Sequence, residues 1–163
     1  MPNHMIDAAD MRILSELQED GRLTNVELSE RIALSPSPCL RRVKRLEADG
    51  IVRGYRAVLD RKKIGLDLTV FVEIRVSKHT HDNAAGLQRS LEAMPEVVAC
   101  HMVSGAADFL AEVVVPTLAD YERLLTERLL TLDMVEDIRS NFALRTIKTD
   151  GALSLEHIST RSI

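Results

Sequence analysis

The stretch from Leu68 to Val76, "LTVFVEIRV", constrains the fold of this 163-residue chain more than any other. Leu68, Val70, Val72, Ile74 and Val76 fall at every second position, with Thr69, Phe71, Glu73 and Arg75 between them. A period of two is a strand with one covered face. Such a strand needs sheet neighbours and an apolar layer across that face. The downstream residues supply both. "HDNAAGLQRSLEAMP" predicts a helix with Leu87, Leu91 and Met94 inward and Pro95 just past its end. "VVACHMVSG" and "FLAEVVV" read as strands joined by "SGAAD". "TLADYERLLTERLLTL" is a second helix, capped by Thr117, with Leu118, Tyr121, Leu125 and Leu129 on its apolar side. "MVEDIRSNFALRTIK" is a final strand.

The order is β-α-β-β-α-β, and its two halves echo each other in "LEAMPEVVAC" and "LLTLDMVEDI". That is the ferredoxin-like plan, with both helices on one sheet face. The uncovered face shows Phe71, Val103 and other apolar residues among polar ones, which predicts self-association through the sheets.

Upstream lie three short helices. "IDAADMRILSELQEDG" puts Ile6, Met11 (or Asp10), Ile13, Leu14 and Leu17 on one stripe, with Asp7 as cap and Gly21 as stop. "TNVELSERIALS" opens on Thr24 and Glu27 at capping-box spacing, with Val26, Leu28 and Ile32 as its apolar side. Ser35 caps a third helix with Pro36 at its first position, and Gly50 ends it. "IVRGYRAVLD" then reads as a strand containing Gly54, either a wing or a dimer-making strand.

The third helix, "SPSPCLRRVKRLEADG", carries four cations in the five residues 41–45. At about 100° per residue, with Ser37 at zero, Arg41 falls at about 40°, Lys44 at about 340° and Leu40 at about 300°. Cys39, Val43 and Leu46 lie on the other side, at about 200°, 240° and 180°. One face is core; the other is Ser37, Leu40, Arg41 and Lys44, with Arg45 beside it. Arg42 lies on the flank, where pairing with Asp10 or Glu47 and contact with DNA are both open. A tight turn before such a helix makes a helix-turn-helix, sized and charged for a major groove. Arg41 and Lys44 are expected on DNA, and Arg45 on phosphate.

Net charge is −4, which taken alone argues against a polyanion partner. The average hides an asymmetry: residues 1–63 hold 12 Lys/Arg against 10 Asp/Glu, and residues 35–63 hold 9 against 3. The positive charge is local, which is what a polyanion meets at close range. No apolar run reaches transmembrane length, and the N-terminus lacks the order of a secretory signal. Cys39 and Cys100 sit in apolar patterns and read as reduced core thiols of a cytosolic protein. Nothing points to an enzyme: Cys100 and His101 are adjacent on a strand and face opposite ways. His79 and His81 lack further ligands nearby, so no metal is expected. No Gly-rich phosphate loop is present.

In "DAADMRILSELQEDGR", "LSPSPCLRRVKRLEADGIVRGYRAVLD", "IGLDLTVFVEI", "CHMVSGAADFL" and "NFALRTIK", in that order, the chain resembles the Lrp/AsnC family of feast/famine transcription regulators, close to its leucine-responsive branch. The fold class is then α+β: an N-terminal winged helix-turn-helix at 1–60, a hinge at 61–67, a ferredoxin-like βαββαβ ligand-sensing domain at 68–150 and a tail at 151–163. The resemblance implies double-stranded DNA as partner, a homo-oligomer of dimers assembling to an octamer, and an amino acid effector between dimers. It implies no other cofactor and no membrane, in a cytoplasmic, nucleoid-associated protein. The effector is expected at "VSGAADF". Gly105 lets a ligand approach the backbone, open N–H groups suit a carboxylate, and Asp108 suits an ammonium. Ser104, Gly105 and Asp108 match the family's sensing loop, and Met102 and the strand near Phe142 offer a side-chain pocket. These are also ordinary turn residues. The rival reading is an architectural DNA-wrapping protein that ignores ligands.

Overall fold

The computed structural model describes residues 6–77 and 81–159. The chain divides into two compact units: its N-terminal part through Val58 together with everything from Lys148 onward, and Leu59–Ile147. Among the described residues no helix is long and apolar enough to cross a membrane.

The first unit holds α1 (Ala8–Glu19), α2 (Asn25–Arg31), α3 (Pro36–Ala48) and, in the tail, a short helix, Glu156–Ser159. Of the three caps predicted in this unit, those of Asp7 and Thr24 form side-chain bonds. The Asp7 carboxylate accepts the Ala9 and Asp10 N–H groups, and the Asp10 side chain accepts the Asp7 N–H in return. Thr24 and Glu27 form the same reciprocal box on α2. These bonds satisfy amides that a helix start otherwise leaves open. Ile13, Leu14, Leu28, Ile32, Cys39 and Leu46 make the core, joined by Leu155 from the tail. Val26, expected on the apolar side of α2, is 54% exposed instead. It lies two residues, about 200°, from Leu28, so the two cannot share a face. The α2–α3 turn is tight: Leu34 N–H donates to the Ser29 carbonyl at 2.9 Å, with Ala33 in the left-handed region at φ 56°.

Within the single chain, the stretch 51–60 read as a wing or a dimer-making strand takes no strand conformation. This stretch is irregular, with Ile51, Tyr55, Val58 and Leu59 exposed. A strand exists only by pairing, and among the described residues of this chain no second strand lies beside it.

The second unit is β1 (Leu68–Val76), α4 (His81–Glu92), β2 (Val97–Met102), β3 (Phe109–Val115), α5 (Leu118–Leu124) and β4 (Val135–Phe142). The sheet order is β2-β3-β1-β4, antiparallel throughout, as the ferredoxin-like reading requires. Val70, Val72, Ile74 and Val76 of β1 pack with Leu87 and Leu91 of α4, with Met94 just past its end, and with Tyr121 and Leu124 of α5, so both helices cover one face.

Three details differ from expectation. First, α5 runs into a π-helical turn at Leu125–Leu129, which brings Leu129 into the same core as Leu124, five residues earlier. Leu118, at the start of the regular part of α5, is 61% exposed, and Leu125 is half-buried. Second, β4 stops at Phe142 because its partner runs out. Ala143 still donates to Thr69, one residue from the start of β1, and Leu144 beyond it is fully exposed. Third, Cys39 is buried but Cys100 is exposed on β2, an outer strand of the sheet. His79 lies outside the described residues. Among those described, no group of three or more His, Cys, Asp or Glu is placed to hold a metal.

Candidate nucleic-acid interface and effector loop

Helix α3 separates its two faces as its sequence angles require. Ser37, Leu40, Arg41 and Lys44 are exposed, while Cys39 and Leu46 have no exposure at all. Ser35 takes the capping position by backbone geometry and makes no side-chain cap bond. The first turns of α2 and α3 are bolted together: the Asn25 side-chain amide donates to the Pro36 carbonyl at 2.8 Å.

The other two cations of α3 turn inward. Arg42 Nη1 donates to Asp10 Oδ1 at 2.8 Å and to Asp7 Oδ2 at 2.7 Å; Arg45 Nη2 donates to Asp10 Oδ2 in a short bond. Of the two partners weighed for Arg42, Asp10 is the one it takes, while Glu47 accepts the Tyr55 hydroxyl. The Asp7 carboxyl is held at about 2, first by the Asp10 N–H it accepts and then by Arg42. Arg42 in turn is raised, chiefly by its bonds to Asp7 and then Asp10. Asp10 is missing from the sequence-derived site, yet its signal is there. It lies within about 60° of Ile13, Leu14 and Leu17 on α1, and a carboxylate on a core stripe needs a cationic partner.

The loop expected to hold an effector joins β2 to β3 and is fastened at its base. Val103 N–H donates to the Asp108 carbonyl at 2.9 Å, and Asp108 N–H donates to the Ile74 carbonyl at 3.0 Å. Asp108 Oδ2 accepts the Val76 N–H at 2.9 Å, so this carboxylate also holds the end of β1. Ser104 and Gly105 are exposed at the tip; Gly105 has φ 125°, a backbone that side-chain-bearing residues rarely adopt, with open space around it. Met102 is 67% exposed at the end of β2 and lines a groove of about 410 Å³ between α4 and β2, over Leu91 and Phe109. Phe142 stands elsewhere, edge-on to Tyr121 at 5.6 Å, at the opposite side of the sheet.

The open sheet face is more polar than its pattern suggests. Phe71 is 39% exposed there, but Asn141 donates to Glu73 at 3.1 Å and Arg61 donates to Glu112 at 2.6 Å.

A helix-turn-helix with an outward cationic helix, followed by a β-α-β-β-α-β unit with an open glycine loop, defines a DNA-binding regulator carrying a ligand-binding domain. Comparison with known proteins gives the family. Residues 69–153 match the Lrp/AsnC ligand binding domain, and residues 6–53 match a winged helix-turn-helix DNA-binding domain. The chain belongs to the Lrp/AsnC family of transcription regulators. It is 40% identical over 155 residues to the leucine-responsive regulatory proteins of Escherichia coli K12 and Salmonella typhimurium, covering 95% of this chain and 94% of theirs. Its fold is similar to that of a Neisseria meningitidis transcriptional regulator in complex with L-Met, at TM-score 0.89 and 41% identity, covering 93% of this chain and 98% of that one. It is also similar to an AsnC family regulator of Agrobacterium tumefaciens, at TM-score 0.88 and 35% identity, covering 93% and 98%. These relatives are regulators rather than enzymes.

Proposed function

We propose that this regulator reads DNA with α3 and answers to a free amino acid held at the β2–β3 loop. The observation that carries the reading is the division of α3: Ser37, Leu40, Arg41 and Lys44 stand outward while Cys39 and Leu46 are sealed in the core. Arg41 and Lys44 are the cations placed to enter a groove, whereas Arg42 and Arg45 lie at its flank, bonded to Asp7 and Asp10. Residues 61–67 connect the DNA-binding part to the sensing part.

For the effector, support comes from the loop and from the Neisseria relative solved with L-Met. Gly105 opens the backbone to a carboxylate, Ser104 adds a hydroxyl, Asp108 supplies negative charge for an ammonium, and Met102 borders the space for a side chain. A small amino acid between subunits binds some assemblies better than others and so shifts the oligomer or its grip on DNA. We place the site in a homo-oligomer of dimers, reaching an octamer, in a cytoplasmic, nucleoid-associated protein. One helix-turn-helix reads few base pairs, and paired half-sites about one helical turn apart supply specificity.

A thermal-shift screen of the twenty amino acids tests the sensing half, since a ligand specific for the native state raises its melting temperature. A screen in which none shifts the protein favours the ligand-independent architectural reading. Arg41→Ala tests the DNA half: it should cost about 1–3 kcal/mol of binding and relax sequence preference.

A further inference from the structure

Asp10 is a fully buried carboxylate on the core side of α1. A charge in that position requires partners that offset its lost hydration. It takes them from α3: Arg42 at Oδ1, Arg45 at Oδ2, with the Asp7 N–H also on Oδ2 at 3.1 Å. The two arginines are not held alike. Arg42 has a second carboxylate in Asp7, whereas among the described residues Asp10 is the ionic partner of Arg45 and its sole one. Together the four side chains form a neutral cluster of two carboxylates and two guanidiniums. A cation neutralised at contact adds little to the field that reaches a phosphate several ångströms away.

We propose that Asp10 is a positioning residue for DNA binding, which withholds Arg45 from the phosphate backbone. The proposal rests on α3 being the DNA-facing helix. Arg45 stands about 80° around that helix from Ser37, on the border of the outward face. Its side chain is 35% exposed, so without Asp10 its guanidinium can turn outward into water or onto phosphate. Phosphate contacts add affinity without sequence information. Holding one cation back therefore lowers the grip on arbitrary DNA and leaves discrimination to Arg41 and its neighbours. The phosphate contact that the helix angle assigns to Arg45 is then suppressed by a residue on another helix.

The test is binding of full-length protein to a mixed-sequence DNA duplex over a salt series, for the parent, Asp10→Asn, Arg45→Ala and the double variant. Asp10→Asn should bind more tightly at low salt, with a plot of log K against log salt steeper by about one for each protomer engaged, because one further cation reaches phosphate. Arg42 stays on Asp7. Arg45→Ala should keep the parent slope, and the double variant should return to it. A merely structural Asp10 would weaken binding without steepening the slope, and removing Arg45 would not reverse the change; that result overturns the proposal. So does an Arg45→Ala slope flatter by about one, which would put Arg45 on phosphate in the parent. If Asp10→Asn does not fold, the Arg45→Ala slope alone decides. Arg41→Ala is measured alongside: unchanged affinity there removes α3 itself from DNA, a failure distinct from that of Asp10.

Discussion

Gln18 and Leu153 pair as two peptide groups do. The Leu153 N–H donates to Gln18 Oε1 at 2.7 Å, and Gln18 Nε2 donates to the Leu153 carbonyl at 3.2 Å. A carboxamide offers one acceptor and one donor side, which suits an unpaired stretch of backbone. Residues 135 positions apart are thereby joined, and Leu155 continues into the core of the DNA-binding unit. Gln18→Ala should lower the stability of that unit by about 0.5–1.5 kcal/mol, nearer the low end because the pair is exposed. Hydrogen exchange at the Leu153 amide is the direct reading. Faster exchange in the variant is expected, and an unchanged rate would mean that Leu155 alone holds the tail.

The two faces of α3 should separate stability from binding. Leu46 is fully buried, so Leu46→Ala removes packed methyl groups and leaves a cavity, at about 2–5 kcal/mol. Leu40 is 42% exposed, so Leu40→Ala should stay within about 0.5 kcal/mol of the parent. DNA affinity should nevertheless fall in Leu40→Ala, through lost apolar contact with the groove. Denaturant melts beside a binding titration measure both. A Leu40→Ala protein of parent stability and parent affinity would take Leu40 out of the interface.

What could be read from the sequence was what depends on neighbours a few residues away. The alternation of β1, the cap at Asp7, the capping pair Thr24–Glu27, and the opposition of Arg41 and Lys44 to Cys39 and Leu46 all come from local geometry. What escaped depends on distant chain. The end of β4 is set by where β1 begins, and the stretch at 51–60 lacks a partner strand. The π-helical turn places Leu129 five residues from Leu124, so the core stripe of this helix runs through Tyr121, Leu124 and Leu129 and leaves Leu118 beside it. For the site the same holds. The outward face of α3 could be found by angle, but Arg45 is claimed by Asp10, 35 residues earlier, and Asp108 by Val76, 32 residues away. Both bonds need the packed fold to exist.

Acid should act on the DNA-binding unit through Asp7. Its carboxyl titrates at about 2 in the folded protein against an ordinary 3.8. A group with a depressed folded value contributes stability above its unfolded value and loses it as pH falls through the folded one. The melting temperature should therefore drop between about pH 4 and about pH 2, with a smaller drop in Asp7→Asn. Half of the Asp7 side chain is exposed, so solvent screens its attraction to Arg42 and the difference is modest. Parallel acid melts of parent and variant would exclude Asp7 as a source of the dependence.

The bond that Asp108 makes and the effector role proposed for it can be pulled apart. Its Oδ2 accepts the Val76 N–H at 2.9 Å, which ties the β2–β3 loop to the end of β1. Its charge is the feature we assign to an amino acid's ammonium group. Asp108→Ala would remove both at once, leaving the loop unfastened and any loss of ligand ambiguous. Asp108→Asn keeps a carbonyl oxygen for Val76 and discards the charge. Charged hydrogen bonds are worth about 1.5–3 kcal/mol. Asn should therefore bind the amino acid some tenfold to a hundredfold more weakly, at about 1.4 kcal/mol per tenfold, while melting and binding DNA as the parent does. Calorimetry with the amino acid that shifts the parent most is the measurement. Undiminished affinity in Asp108→Asn would take the Asp108 charge out of the effector site and leave the ammonium to another acceptor.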